Sequence, residues 1–188
     1  GFVINEDNDK AHRYIAQFAS YIRRTLLVAR LNFIPLREEI EMLREQTGLE
    51  MMRTRQAFTT RIEVDADMSL DTELPTMLLQ TFVENAIKHG LNPLRDRAGE
   101  LGIRFSKSGD GLVCTITDNG VGLNHSAPKG AQQNEHTSEG LNLVKERIKL
   151  FNTQFGMDIR MRLDPGIGGL GTMVRVTIPV ERTNTSVT

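Results

Sequence analysis

The stretch Leu74–Gly90, LPTMLLQTFVENAIKHG, decides how the rest of the chain is read. Wound at about 100° per residue, its side chains separate onto two faces. Leu79, Phe82, Val83, Ala86 and Ile87 fall on one face; Gln80, Thr81, Glu84, Asn85, Lys88 and His89 fall on the other. Pro75 suits the first helical turn, and Gly90 suits the left-handed residue that closes a helix. The apolar face predicts contact with a core. The polar face is the unusual one, because Asn85 is a poor residue for the middle of a helix. A solvated face with one Glu84–Lys88 pair, worth about 0.3–0.5 kcal/mol, accounts for it. So does a face for metal and phosphate. An Asn oxygen and a Glu carboxylate suit a hard cation such as Mg²⁺, while Lys and His suit phosphate oxygens.

The chain around this stretch has 188 residues, 39% of them hydrophobic, enough for one domain with a sizeable core and an appendage. A formal net charge of −1 gives no nucleic-acid footprint. The single cysteine, Cys114, excludes a disulfide framework and points to a reducing, cytoplasmic setting. No run approaches the ~18 apolar residues of a membrane span, so no membrane contact is expected of this region.

Upstream, residues 8–30 read as a helix with Ala11, Ile15, Phe18, Ile22 and Ala29 on a nearly heptad stripe, which suits packing against another helix. Pro35 forces a break. A second helix is predicted over 36–54, with Leu36, Ile40 and Leu43 inward. Two such helices have too little core alone and need a partner, either the rest of the chain or a second copy; a homodimer is expected. Downstream, Phe58–Val64, Leu101–Ser106, Leu112–Thr117, Met157–Leu163 and Thr172–Pro179 read as strands. Leu141–Phe155 reads as a helix. Asn119–Gly140 is a long polar connection, of the kind that forms lids and binding loops. This order predicts an α+β fold, an α/β sandwich with helices on one face of a mixed sheet, preceded by a helical hairpin.

In Leu112–Thr117 the side chains alternate, so Leu112, Cys114, Ile116 and Asp118 share one face. Asp118 thus continues a core-facing row, where a carboxylate must be hydrogen-bonded. Asp-Asn-Gly is a turn signal in its own right. The run continues as DNGVG, however, and Gly120 and Gly122 allow close approach of backbone to a flat base or a phosphate.

LLQTFVENAIKHG resembles the N box of the GHKL ATP-binding domains shared by histidine kinases, gyrase, MutL and heat-shock chaperone ATPases. DNGVG resembles their first glycine box, GLNLVKERI the segment after their ATP lid, and GGLGT the turn near their C-terminus. AHRYIAQFASYIRR followed by FIPLREEIEML resembles the region after the phosphoacceptor in sensor histidine kinases of the LytS type. The resemblance implies a Bergerat-type ATP-binding fold over 56–180, partial dimerisation helices over 1–55 and a polar tail over 181–188. It implies that ATP and Mg²⁺ bind here for phosphoryl transfer to a histidine upstream of this chain. The parent would be anchored in the bacterial inner membrane and would serve a cognate response regulator.

It also implies roles. Asn85 would bind Mg²⁺, Glu84 would support the metal or polarise the attacking group, and Lys88 and His89 would face phosphates. Asp118 would accept a hydrogen bond from adenine, and Gly120 and Gly122 would shape the pocket floor. Gly140 and Leu141 would close the lid at a helix start, and Thr172 would lie near adenine. Two features depart from the family pattern. The second glycine box reads HTSEGL, with Leu143 where Asn is common, and the N-P-H-F-x-F-N motif that carries the phosphorylated histidine does not occur in this sequence. The alternative these departures leave open is a nucleotide-weak, dimerising pseudokinase scaffold.

Overall fold

The structure, a computed structural model, describes the backbone of residues 2–54, 57–109, 111–122 and 135–180. Helix α1 spans Phe2–Val28 and α2 spans Leu36–Arg53. Pro35, extended at φ −62° and ψ 148°, separates α2 from a short strand β1, Phe33–Pro35. Arg24 of α1 pairs with Glu38 at 2.5 Å and with Glu45 at 3.2 Å, which ties the hairpin together.

The expected strands form one five-stranded sheet. Its members are β2 (Phe58–Val64), β4 (Gly99–Ser108), β5 (Gly111–Asp118), β6 (Arg160–Pro165) and β7 (Thr172–Pro179). Their spatial order is β2-β4-β5-β7-β6, with β2 and β4 parallel and every other pair antiparallel. Period-two alternation buries one face: Leu101, Ile103 and Phe105 of β4, Leu112, Cys114 and Ile116 of β5, and Val174, Val176 and Ile178 of β7. Onto that core pack Leu36, Ile40 and Leu43 of α2, the apolar face of the 79–91 segment, and Val144, Ile148 and Phe151 of α4, Glu135–Phe155. Helix α2 is therefore a layer of the sandwich as well as half of the hairpin.

The Leu74–Gly90 stretch departs from its predicted form. Glu73–Pro75 is strand β3, paired with β1, so Pro75 lies in extended structure and not in a first helical turn. Helix α3 begins only at Gln80 and runs to Asn85. From Ala86 to Leu91 the coil widens to π geometry, with Asn92 N bonding Ile87 O at 2.8 Å. Gly90 lies inside that π turn and closes nothing. Gln80, assigned to the outer face, is buried at 6% exposure. Helix α4 also starts earlier than predicted. Extending an existing helix adds one hydrogen bond per residue without a new nucleus, and the pattern from Leu141 propagates back to Glu135.

Candidate functional site

Asp118 ends β5, facing Leu101 of β4 and Thr172 of β7 in register. The row of Leu112, Cys114 and Ile116 carries it inward, and it is only 5% exposed. Its Oδ1 accepts from the Gly120 amide at 2.8 Å, and its Oδ2 accepts from the Thr172 hydroxyl. Burial pushes the Asp118 carboxyl above the usual carboxylate range, and the bonds from Thr172 and Gly120 pull part of that back. The Thr172 amide also bonds this carboxylate, so three of its four acceptor positions are filled and one remains for a further donor.

Three backbone segments converge on this carboxylate at distances that exclude side chains. A Cβ on Gly120 would lie 2.4 Å from Gly90 C, and Val121 N bonds Gly90 O at 3.1 Å. A Cβ on Gly171 would lie 1.8 Å from Asp118 O. Gly171 and Gly122 both hold positive φ, at 67° and 78°, which glycine adopts without strain. The π turn thus presses its glycine onto the DNG turn, and the 166–171 turn closes from the other side.

Asn119 is pinned to the start of β4. Its Nδ2 donates to Ala98 O at 3.0 Å, and its Oδ1 accepts from Glu100 N at 2.8 Å. Sequence reasoning missed Arg97, which donates to Asn119 O at 2.7 Å and to Gly120 O at 3.0 Å. Nothing in the charged loop containing it distinguishes this arginine from its neighbours; only the fold does.

On the 80–91 segment, Glu84 and Lys88 form the expected pair at 3.0 Å, each about half exposed. Asn85 is half-buried at the end of α3, and His89 is half-buried in the π turn. Gly90 carries these four residues to the edge of the Asp118 cluster. Gly140 and Leu141 do not stand at a helix start, since α4 begins at Glu135 and its backbone runs helical through both. Leu141 is half-buried and packs against the core. Leu143 is 65% exposed on α4. Residues 123–134, most of the expected lid, lie outside the described residues.

A family profile described as histidine kinase-, DNA gyrase B- and HSP90-like ATPase matches residues 70–182. The chain is 29% identical, over 94% of its length, to a sensor protein LytS of Oceanobacillus iheyensis. It is 27% identical, over 93% of its length, to the sensor histidine kinase YpdA of Escherichia coli. It spans about 30% of the length of each of these relatives. Among solved structures, a blue-light activated histidine kinase of Erythrobacter litoralis superposes at TM-score 0.52 with 20% identity, over 96% of this chain and 51% of that one. The histidine kinase AdeS of Acinetobacter baumannii gives 0.52 with 14% identity, over 96% and 86%. Those two share the fold, and the profile match covers the Asp118 cluster, the 80–91 segment and all five sheet strands except β2, so the chain belongs to the histidine kinase-, DNA gyrase B- and HSP90-like ATPases.

Proposed function

We propose that this chain is the ATP-binding catalytic region of a two-component sensor histidine kinase of the LytS type. In this reading it positions Mg-ATP for transfer of the γ-phosphoryl group to a histidine elsewhere in the parent protein. The observation that carries the reading is Asp118: a buried carboxylate held by Thr172 and Gly120, with acceptor capacity left for an adenine amine. Gly122 and Thr172 border the base, and Lys88 and His89 face the phosphates.

Among the described residues no group of three His, Cys, Asp or Glu side chains could hold a metal alone. That fits Mg²⁺ shared with phosphates, which keeps several waters and takes one or two protein oxygens. Asn85 would provide one, with Glu84 beside it. Bound Mg²⁺ supplies charge neutralisation on the phosphates. The chain's own contribution is placement, which supplies most of the rate in phosphoryl transfer.

The partners follow from the same reading. Helix α1 leaves Ile15, Phe18, Ile22 and Leu26 exposed at 62%, 46%, 39% and 65%, a stripe at the spacing that packs helix on helix. A second copy of the chain covers it, forming a homodimer, and the phosphorylated parent serves a cognate response regulator. With α2 built into the sandwich, the dimerisation part is α1, and the ATP-binding domain starts near Phe33. No helix among the described residues is long and apolar enough to cross a membrane. The LytS-type resemblance supports a cytoplasmic placement of this region, with the parent anchored in the inner membrane.

Calorimetric titration of the chain with Mg-ATP tests the reading. Saturable one-site binding, competed by ADP and weakened by one to two orders of magnitude in Asp118→Asn, is expected. Absence of binding would overturn it.

A further inference from the structure

Helix α2 buries a carboxylate that no motif predicts. In the run LREEI, Glu38 turns outward to Arg24, whereas Glu39 is 0% exposed. An unpartnered buried carboxylate is costly, so what surrounds Glu39 matters. Its Oε2 accepts from Gln80 Nε2 at 3.0 Å. Gln80 is the first residue of α3. Two turns along α2, Gln46 donates to the Gln80 carbonyl at 3.1 Å. Helix α2 therefore grips Gln80 by both side chain and backbone.

A third element joins from α4. The Arg147 guanidinium donates to Thr76 O at 2.5 Å, four residues before Gln80, and its charge favours the ionised form of Glu39. Arg147 also lies 5.6 Å over the Phe151 ring. Three helices thus meet at one buried polar cluster. One of them, α3, carries Glu84 and Asn85 a turn further on and continues to Gly90 against Asp118.

We propose that Glu39 is a positioning residue for the nucleotide site: by holding Gln80 beside Thr76, which Arg147 of α4 grips, it fixes the start of α3, and with it Glu84 and Asn85, against α4 and the Asp118 cluster. The proposal rests on the ATP-binding reading of that cluster. Other titratable groups that feel Glu39 are Tyr21 from α1 and Cys114 from β5, and burial pushes both up, away from ionisation near neutral pH. Among the described residues, Arg147 is the cation that acts on it. Burial raises Glu39 itself to about 7, against the pull of Gln80, the Leu79 amide and Arg147. Its hold on Gln80 and its attraction to the Arg147 charge therefore strengthen across neutral pH, because a charge-assisted bond is roughly twice as strong as a neutral one.

A purely structural role and a positioning role separate in two variants. Replacing a buried ion by an apolar side chain of similar volume is often neutral or stabilising. Glu39→Met is therefore expected to keep or raise Tm while weakening Mg-ATP binding about tenfold or more. Glu39→Gln keeps an acceptor for Gln80 but no charge. Its affinity is expected to match the parent near pH 6 and fall about fivefold behind it by pH 8. ATP ionisation is common to both chains and cancels in that ratio. Calorimetry at both pH values, with thermal melts, reads the outcome, and Asp118→Asn serves as control. If the parent binds and Asp118→Asn binds far more weakly, yet Glu39→Met binds like the parent or loses Tm and affinity together, the positioning role is overturned and the ATP reading stands. An affinity ratio for Glu39→Gln that stays constant with pH also overturns it. If the parent itself fails to bind, both readings fall.

Discussion

Gly90 and Asp118 are so closely apposed that a Cβ on Gly90 would lie 2.6 Å from Asp118 Oδ1 and 3.0 Å from its Cγ. The carboxylate ends a short side chain that Thr172 and Gly120 hold in place, and Gly90 is backbone within the π turn. Gly90→Ala must therefore displace the carboxylate or lift the π turn. The expected result is a folded chain destabilised by about 1–3 kcal/mol, the usual cost of overpacking, with at least a tenfold loss of Mg-ATP affinity. Circular dichroism, urea titration and calorimetry check the three parts. Unchanged affinity would detach Gly90 from the site.

Asp118→Asn leaves one side-chain oxygen where two now accept. The amide nitrogen then faces either the Gly120 amide or the Thr172 hydroxyl, and it presents a donor to the base. A hydrogen bond to a charged group is worth about 1.5–3 kcal/mol, so affinity should fall by one to two orders of magnitude. Equal binding by variant and parent would remove Asp118 from the base site.

Asn85→Ala is expected to retain or gain helix stability, by up to about 0.7 kcal/mol. It should also abolish the Mg²⁺ dependence of ATP binding. Titrations with and without Mg²⁺ decide. A lower Tm with Mg²⁺ dependence intact would make Asn85 a structural residue.

Glu39 also predicts a pH dependence of stability. Its carboxyl has an ordinary value of 4.5 and is raised by burial to about 7. Between those values the folded chain holds a proton that the unfolded chain has lost. Stability from this group is therefore complete below 4.5 and declines as pH rises through 7, by on the order of 2–4 kcal/mol. Glu39→Gln should flatten that slope and be the more stable chain at pH 8. Urea midpoints at pH 5 and pH 8 measure it, and parallel curves for parent and variant would refute the assignment.

Charged residues on the α1 stripe test self-association. Sedimentation is expected to show a dimer for the parent and a monomer for Phe18→Glu with Ile22→Glu at the same concentration; a monomeric parent would refute the proposed homodimer. The Mg-ATP affinity should be untouched, since neither residue lies near the Asp118 cluster.

The strands were legible because alternation and burial say the same thing. Phe58–Val64 and Thr172–Pro179 were placed to the residue, and Asp118 followed from the row of Leu112, Cys114 and Ile116. What the sequence concealed depends on partners distant in the chain. Gln80 reads as an outward polar residue until Glu39 arrives from α2. Pro75 reads as a helix starter until β1 pairs with its strand. Gly90 carries the same letter whether it caps a helix or admits Asp118, and an i→i−5 bond has no local signature. Arg97 is one charge in a charged loop until its guanidinium reaches two carbonyls of the DNG turn. Side-chain chemistry singled out Glu84, Lys88 and His89, whereas the roles of Gly140 and Leu141 came from resemblance alone.

The bond between Asp118 and Thr172 joins residues 54 apart in the chain, and Gly90 reaches the same point from 28 residues upstream. Hairpin β4–β5, closed by a two-residue connection, needs only microseconds to form. The parallel pairing of β2 with β4 must wait for the crossover between them, and such non-local contacts form slowly. A folding intermediate holding only the hairpin would lack both Gly90 and Thr172 at the Asp118 carboxylate. A ligand of that carboxylate therefore discriminates the finished fold from such a hairpin intermediate. At a hundredfold excess over Kd it would add about 2.7 kcal/mol to the native state alone.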